Sequence, residues 1–227
     1  VRNNPIMKLF KYLIFVAISM VYSIPCKAQS DTIDIMHYNI CLDIGNRIEN
    51  QMCGSATLSM RLGTACDSIA LDMKAAEIDS VIVAGRVQGY SLRLEKLHIP
   101  VTGITPNQPF DIAIHYKKGE YVESYDWGGF HFDNNIHYNL GVAFREYPHN
   151  FGRSWFPCRD NFTDRATYRF EITSKPSWSA ICSGIKQSQT TNEDQSVTSI
   201  WILNQPTPTY LVSVAVAPWR TIERTYQ

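Results

Sequence analysis

The feature that most limits how this chain can fold is a two-residue alternation of apolar and polar side chains that recurs along most of it. Phe110, Ile112, Ile114 and Tyr116 alternate with Asp111, Ala113, His115 and Lys117; Ala166, Tyr168, Phe170 and Ile172 alternate with Thr167, Arg169, Glu171 and Thr173. Successive side chains of a strand point to opposite faces, so this period describes a strand buried on one side. Tyr38, Ile40, Leu42 and Ile44 repeat it, as do Ile69, Leu71 and Met73. Further strands are predicted over 56–62, 78–84, 91–94, 97–101, 179–185, 197–203 and 210–217, with Gly45-Asn46, Gly85, Pro106, Pro109, Pro206 and Pro208 punctuating them. No window of helical length carries apolar residues at i, i+3, i+4 and i+7. The expectation is an all-β fold, an antiparallel β-sandwich. Residues 117–147, rich in Gly, Asn, Tyr and Trp, are expected to form an aromatic loop packed against it, and 187–195 an exposed hairpin end.

The first 28 residues read differently. Lys8 and Lys11 precede an apolar run from Leu13 to Ile24, and Cys26-Lys27-Ala28 supplies a small-x-small cleavage site before Gln29. That is the anatomy of a signal peptide over 1–28, with Met7 a start site, and it predicts export to the periplasm or the extracellular space. The apolar run is short for a membrane anchor, and Pro25 stands where a lipoprotein signal needs a small residue. No membrane association is expected after cleavage. Residues 1–28 hold four of the 21 basic side chains and none of the 21 acidic ones, so the remainder is mildly acidic and gives no electrostatic footprint for nucleic acid. Five cysteines remain after Cys26 is removed: Cys41, Cys53, Cys66, Cys158 and Cys182. An odd number at irregular spacing is no disulfide framework, and most are expected to be small buried side chains.

Chemistry is sparse. His131, His137 and His149 have no zinc-ligand spacing, and no His-Glu-x-x-His helix, nucleophile elbow or phosphate-cradling Gly loop is present. Asp126, Asp133, Glu146 and Asp160 cannot be matched into a catalytic pair from spacing alone. No catalytic residue and no metal ligand is therefore assigned within the chain. The densest stretch runs from Gly141 to Arg165, GVAFREYPHNFGRSWFPCRDNFTDR. Its Trp155, Phe156 and Pro157 suit a core edge, and Asp160, neutralised by Arg153 or Arg165, suits a turn before the strand at Ala166. Glu146 has no strand or turn pattern to explain it, which makes it the candidate functional side chain.

Arg153, Pro157, Cys158 and Asp160 together resemble the Arg-x-x-x-Pro-Cys-x-Asp signature of the N-terminal domain of zinc aminopeptidases of the aminopeptidase N family. Gly129-Phe130, the strand entry Asp164-Arg165-Ala166-Thr167-Tyr168, the hairpin Ala180 to Gly184 and Pro208-Thr209-Tyr210-Leu211-Val212 are similar to further landmarks of that family in the same order. The resemblance implies a saddle-shaped β domain over residues 29–227, with a zinc-binding catalytic domain following Gln227. It implies a peptidase that removes N-terminal amino acids, Zn2+ held by that other domain, and two partners: the N-terminus of a peptide substrate and the chain's own catalytic domain. It also implies one acid or amide from this domain at the substrate α-amine, and Glu146 is the acid in the corresponding loop; Pro148 and Asn161-Phe162 depart from the usual pattern. The competing expectation is a secreted β-sandwich binding module for carbohydrate or protein, using Trp127, Phe130 and Tyr138 as stacking rings.

Overall fold

The alternating segments do become strands, and three sheets take up nearly all of them. The computed structural model describes residues 32–125, 127–220, 222 and 224; the signal-peptide reading of 1–28 lies outside the described residues. Numbered in chain order, the largest sheet runs Ile185–Thr191 (β14), Val197–Thr207 (β15), Ala166–Ser174 (β12), Ile33–Ile44 (β1), Gln51–Leu62 (β2), Phe110–Gly119 (β8), Glu77–Val83 (β4) and Arg86–Gln88 (β5). A five-stranded sheet has the order Ser179–Cys182 (β13), Val214–Ala217 (β16), Ile136–Leu140 (β11), Gly129–Asp133 (β10) and Tyr121–Val122 (β9). A three-stranded sheet joins Ser68–Asp72 (β3), Lys96–Pro100 (β7) and Ser91–Arg93 (β6). Among the described residues the only helical turns are two 3-10 turns, Gly152–Ser154 and Thr209–Leu211.

One pairing breaks the antiparallel rule. β1 and β12 run parallel, with Tyr38 opposite Tyr168 and Ile40 opposite Phe170. Parallel neighbours need a long crossover, and everything between residues 45 and 165 serves as one. The buried positions of β12 are Ala166, Tyr168, Phe170, Ile172 and Ser174, every second residue, as its alternation requires. That face, together with Ile40, Leu58 and Ile114 of the neighbouring strands, joins one core with Leu71 of β3, Ile99 of β7, Phe130 of β10 and Val216 of β16. The large sheet is thus one layer and the two smaller sheets cover it, which is the expected sandwich.

Aromatic rings concentrate where β1 meets β12. Tyr38 and Tyr168 stack at 5.1 Å, Tyr168 and Phe170 at 5.7 Å, and Trp155 stacks on Phe170 at 6.1 Å. Phe156 meets Tyr38 edge-on at 5.4 Å. Trp155 and Phe156 are wholly buried, so the central sequence stretch is sealed into the core directly beneath the parallel pair. Removing a ring such as Trp155 from this cluster costs about 3–5 kcal/mol.

The loop expected over 117–147 is in part a hairpin. β10 and β11 pair from Gly129↔Leu140 to Asp133↔Ile136. On its core face Phe130 and Phe132 stand opposite Asn139 and His137, buried polar residues that mask the apolar alternation. Gly129 at φ +138 lies so near β9 that a Cβ there would stand 2.1 Å from the Tyr121 carbonyl oxygen. β14 extends to Thr191, all of it exposed, so the hairpin tip over 187–195 is a strand for half its length.

Candidate functional site

The loop that carries Glu146 is closed at its neck by main-chain bonds. Phe151 N–H donates to the Gly141 carbonyl at 2.7 Å, and Ala143 N–H donates to the His149 carbonyl at 2.8 Å. Two charged side chains then grip its limbs. On the entering limb the Glu123 carboxylate accepts N–H bonds from Gly128 at 3.0 Å, Phe144 at 2.8 Å and Arg145 at 2.5 Å. Burial works against the Glu123 charge, yet the N–H groups of Phe144, Gly128, Arg145 and Glu146 hold its carboxyl below the usual carboxylate range. On the returning limb Arg153 donates to the carbonyls of Pro148 and Asn150.

Arg153 is itself held by the signature Asp160. Its Nη1 reaches Asp160 Oδ2 at 2.9 Å, its backbone N–H reaches the same oxygen at 3.2 Å, and Thr209 Oγ1 donates to Oδ1 at 2.7 Å. Cys158 pairs with Asp72 of β3 through both backbone bonds, at 2.7 and 3.0 Å. Burial, with the charge of Asp160 beside it, pushes the Cys158 thiol well above its ordinary value. Arg153, Cys158 and Asp160 therefore tie the small sheet, the loop and the β16 side together, which is the structural role their sequence context predicts. The five described cysteines are all free thiols.

Glu146 lies in an ion pair that the sequence does not announce. Lys74, buried in the turn after β3, donates through Nζ to Glu146 Oε2 at 2.8 Å and to Glu95 Oε1 at 2.7 Å. The ammonium also lies 5.3 Å from the centre of the Tyr121 ring. Burial opposes the Lys74 charge, but the carboxylates of Glu146 and Glu95 hold its pKa above the ordinary lysine value. Behind it, Lys118 of β8 is buried with carbonyl partners, Lys74 O at 2.9 Å and Ser154 O at 2.5 Å. Burial and the Lys74 charge pull the Lys118 pKa down to about 7. Glu146 itself keeps 27% of its side-chain surface exposed. Among the described residues its Oε1, like Glu95 Oε2, accepts no hydrogen bond.

Lys74, Glu95, Lys118 and Glu123 are the residues that sequence reasoning missed. Only Lys118 left a readable trace. In β8 it falls on the same parity as Ile112, Ile114 and Tyr116, so its side chain has to point into the core.

The histidines do not converge. His131 bonds the Trp127 carbonyl at 2.7 Å and stacks on Tyr138 at 4.6 Å, His149 bonds the Ala143 carbonyl, and His137 packs on Trp178. No group of three or more His, Cys, Asp or Glu among the described residues could hold a metal ion. The resemblance assigns its zinc to another domain, and the residues described here supply no ligand set for it. Of the three rings suggested for stacking, Phe130 is fully buried and Tyr138 is covered by His131, so only Trp127 is exposed. Its neighbour is Phe144, 5.3 Å away between ring centres and also exposed; with Glu123, Tyr125 and Arg145 the two rings line a cleft of about 350 Å³.

Comparison with known proteins agrees with this architecture. No curated protein matches the sequence. Among solved structures, the M1 zinc metallopeptidase from Deinococcus radiodurans superposes with a TM-score of 0.71 at 22% identity, over 82% of this chain and 42% of that one. A two-domain M1 zinc metallopeptidase mutant bound to L-arginine gives 0.72 at 22% identity, with the same coverage. Native yeast LTA4 hydrolase gives 0.62 at 17% identity, over 82% of this chain and 29% of its own. The chain thus spans less than half the length of these structures, and the likeness shows a shared fold. The sequence profile of the Peptidase M1 N-terminal domain matches residues 35–211. The chain belongs to the Peptidase M1 N-terminal domain family.

Proposed function

We propose that this domain is the substrate-site wall of an exported zinc aminopeptidase, and that Glu146 receives the free α-ammonium of the peptide. The zinc and the general base belong to a catalytic domain of the same polypeptide, and this domain contributes no catalytic residue. One observation carries the reading of Glu146. Its carboxylate stands on a loop fixed from both limbs by Glu123 and Arg153, with Oε2 anchored on Lys74 and Oε1 left to accept a further donor. A preplaced carboxylate facing an ammonium forms a charge-assisted bond, stronger than a neutral one. It selects peptides with an unblocked N-terminus, because an acylated amine carries no charge.

The test is Glu146→Gln in the polypeptide that carries both domains, assayed on aminoacyl reporter substrates. KM rises about tenfold or more, the loss of one charge-assisted bond, while zinc content is unchanged. Unaltered kinetics would remove Glu146 from the site.

The Trp127–Phe144 cleft favours a second reading, a secreted binding module for carbohydrate or protein without catalysis. In that case glycan or peptide arrays probed with the chain give ligands whose affinity falls on Trp127→Ala.

A further inference from the structure

β11 carries a histidine that the folded chain seals in without a partner. His137 is 3% exposed, and neither ring nitrogen has a hydrogen-bond partner among the described residues. Its ring lies against Phe132 of β10 at 4.9 Å and against Trp178 at 5.0 Å, and its backbone pairs with Val216 of β16. The β1–β2 turn closes the remaining side. Gly45 comes so near that a Cβ there would stand 2.8 Å from Nε2. His131 and His149, by contrast, each bond a carbonyl.

A neutral imidazole tolerates such a pocket at the cost of its unmade hydrogen bonds. An imidazolium does not, because it adds a buried charge and turns both nitrogens into donors. The surrounding groups do not compensate. Burial first, then the Lys175 ammonium, hold His137 below the ordinary histidine value of 6.5, while Asp133, the Ile136 carbonyl and Glu49 pull the other way. Asp133 and Glu49 are both exposed, so water weakens their pull. An aromatic ring can hold a cation, but Lys175 already stands 3.8 Å from the centre of the Trp178 ring.

We propose that His137 is an acid-sensitive latch: neutral, it closes β11 against the β1–β2 turn, and a proton on it releases that turn and loosens β11. The consequence reaches the Glu146 loop. β11 ends at Leu140, and the next residue, Gly141, supplies the carbonyl that closes the neck of that loop on Phe151. The latch stands whether or not Glu146 meets a substrate amine. Below pH 6.5 the unfolded chain takes the proton more readily than the folded one, so stability falls with acid through the window beneath that value.

The test compares the chain with His137→Phe, which cannot be charged, in urea unfolding at pH 7 and pH 5. Acid lowers the wild-type folding equilibrium constant several-fold more than that of the variant, up to about thirtyfold, the limit for a single proton taken up below 6.5. His37, held low by burial and Arg169, is present in both proteins, so the difference belongs to His137. Hydrogen exchange at pH 5 locates the change: residues 45–51 and 136–140 lose protection in the wild type relative to the variant, while the β1–β12 pair keeps it. An equal acid dependence in the two proteins would overturn the proposal, and so would a loss of protection spread evenly over all three sheets. If the larger phenylalanine ring disturbs folding at pH 7, His137→Gln takes its place and must show the same flattened acid response.

Discussion

Two ion pairs on either side of Pro148 behave very differently. In the first, Arg153 and Asp160 are nearly dry, 6% and 0% exposed at the side chain, and both Asp160 oxygens are taken by Arg153 and Thr209. In the second, Lys74 is equally buried, but its partners Glu95 and Glu146 are 48% and 27% exposed. The first pair has no acceptor left to offer a ligand, so the most recognisable residues of the sequence act as a buckle. The second pair keeps its cation inside and turns its acids outward, which is what a recognition site for a cation requires. Prominence in sequence and availability for chemistry have separated.

Breaking the first pair should have the largest effect. Asp160→Ala leaves a buried guanidinium unpaired and lowers the stability of the chain by about 3–5 kcal/mol in urea unfolding. Lys74→Met is the milder counterpart, because the stranded carboxylates can reach water; a loss of about 1–3 kcal/mol is expected. Lys118 sharpens the contrast through pH. Its folded pKa of about 7 lies below the ordinary lysine value of 10.5, so above pH 7 the unfolded chain binds the extra proton and stability rises with pH. Between pH 7 and 9 this contributes at most about 1.4 kcal/mol per pH unit, and Lys118→Met should abolish that slope. Equal slopes in the two proteins would mean that Lys118 titrates normally. Glu146→Gln is expected to shift stability least, by less than about 1 kcal/mol, as for other part-exposed substitutions. A larger drop would move Glu146 into the same structural class as Asp160.

Much of the fold was legible because one sheet face is buried and the other is not. That arrangement writes the period of two into β1, β8 and β12. The β10–β11 hairpin escaped because its inward positions include His137, packed between rings, and Asn139, bonded to backbone, instead of aliphatic residues. The parallel β1–β12 pair was equally invisible, since strand direction leaves no trace in alternation. Arg153 with Asp160 could be read from local spacing. Glu146 with Lys74 and Glu95 could not, because the three come from turns far apart in the chain and only tertiary packing joins them.

The way Glu123 grips its neighbours has a further consequence. It fastens the loop by peptide N–H groups alone, and every residue but proline offers the same donor. Side chains at 144 and 145 can thus be exchanged while the contour they ride on persists. Relatives could explore new preferences for what lies against that surface by point substitution, without having to reinvent the shape of the loop.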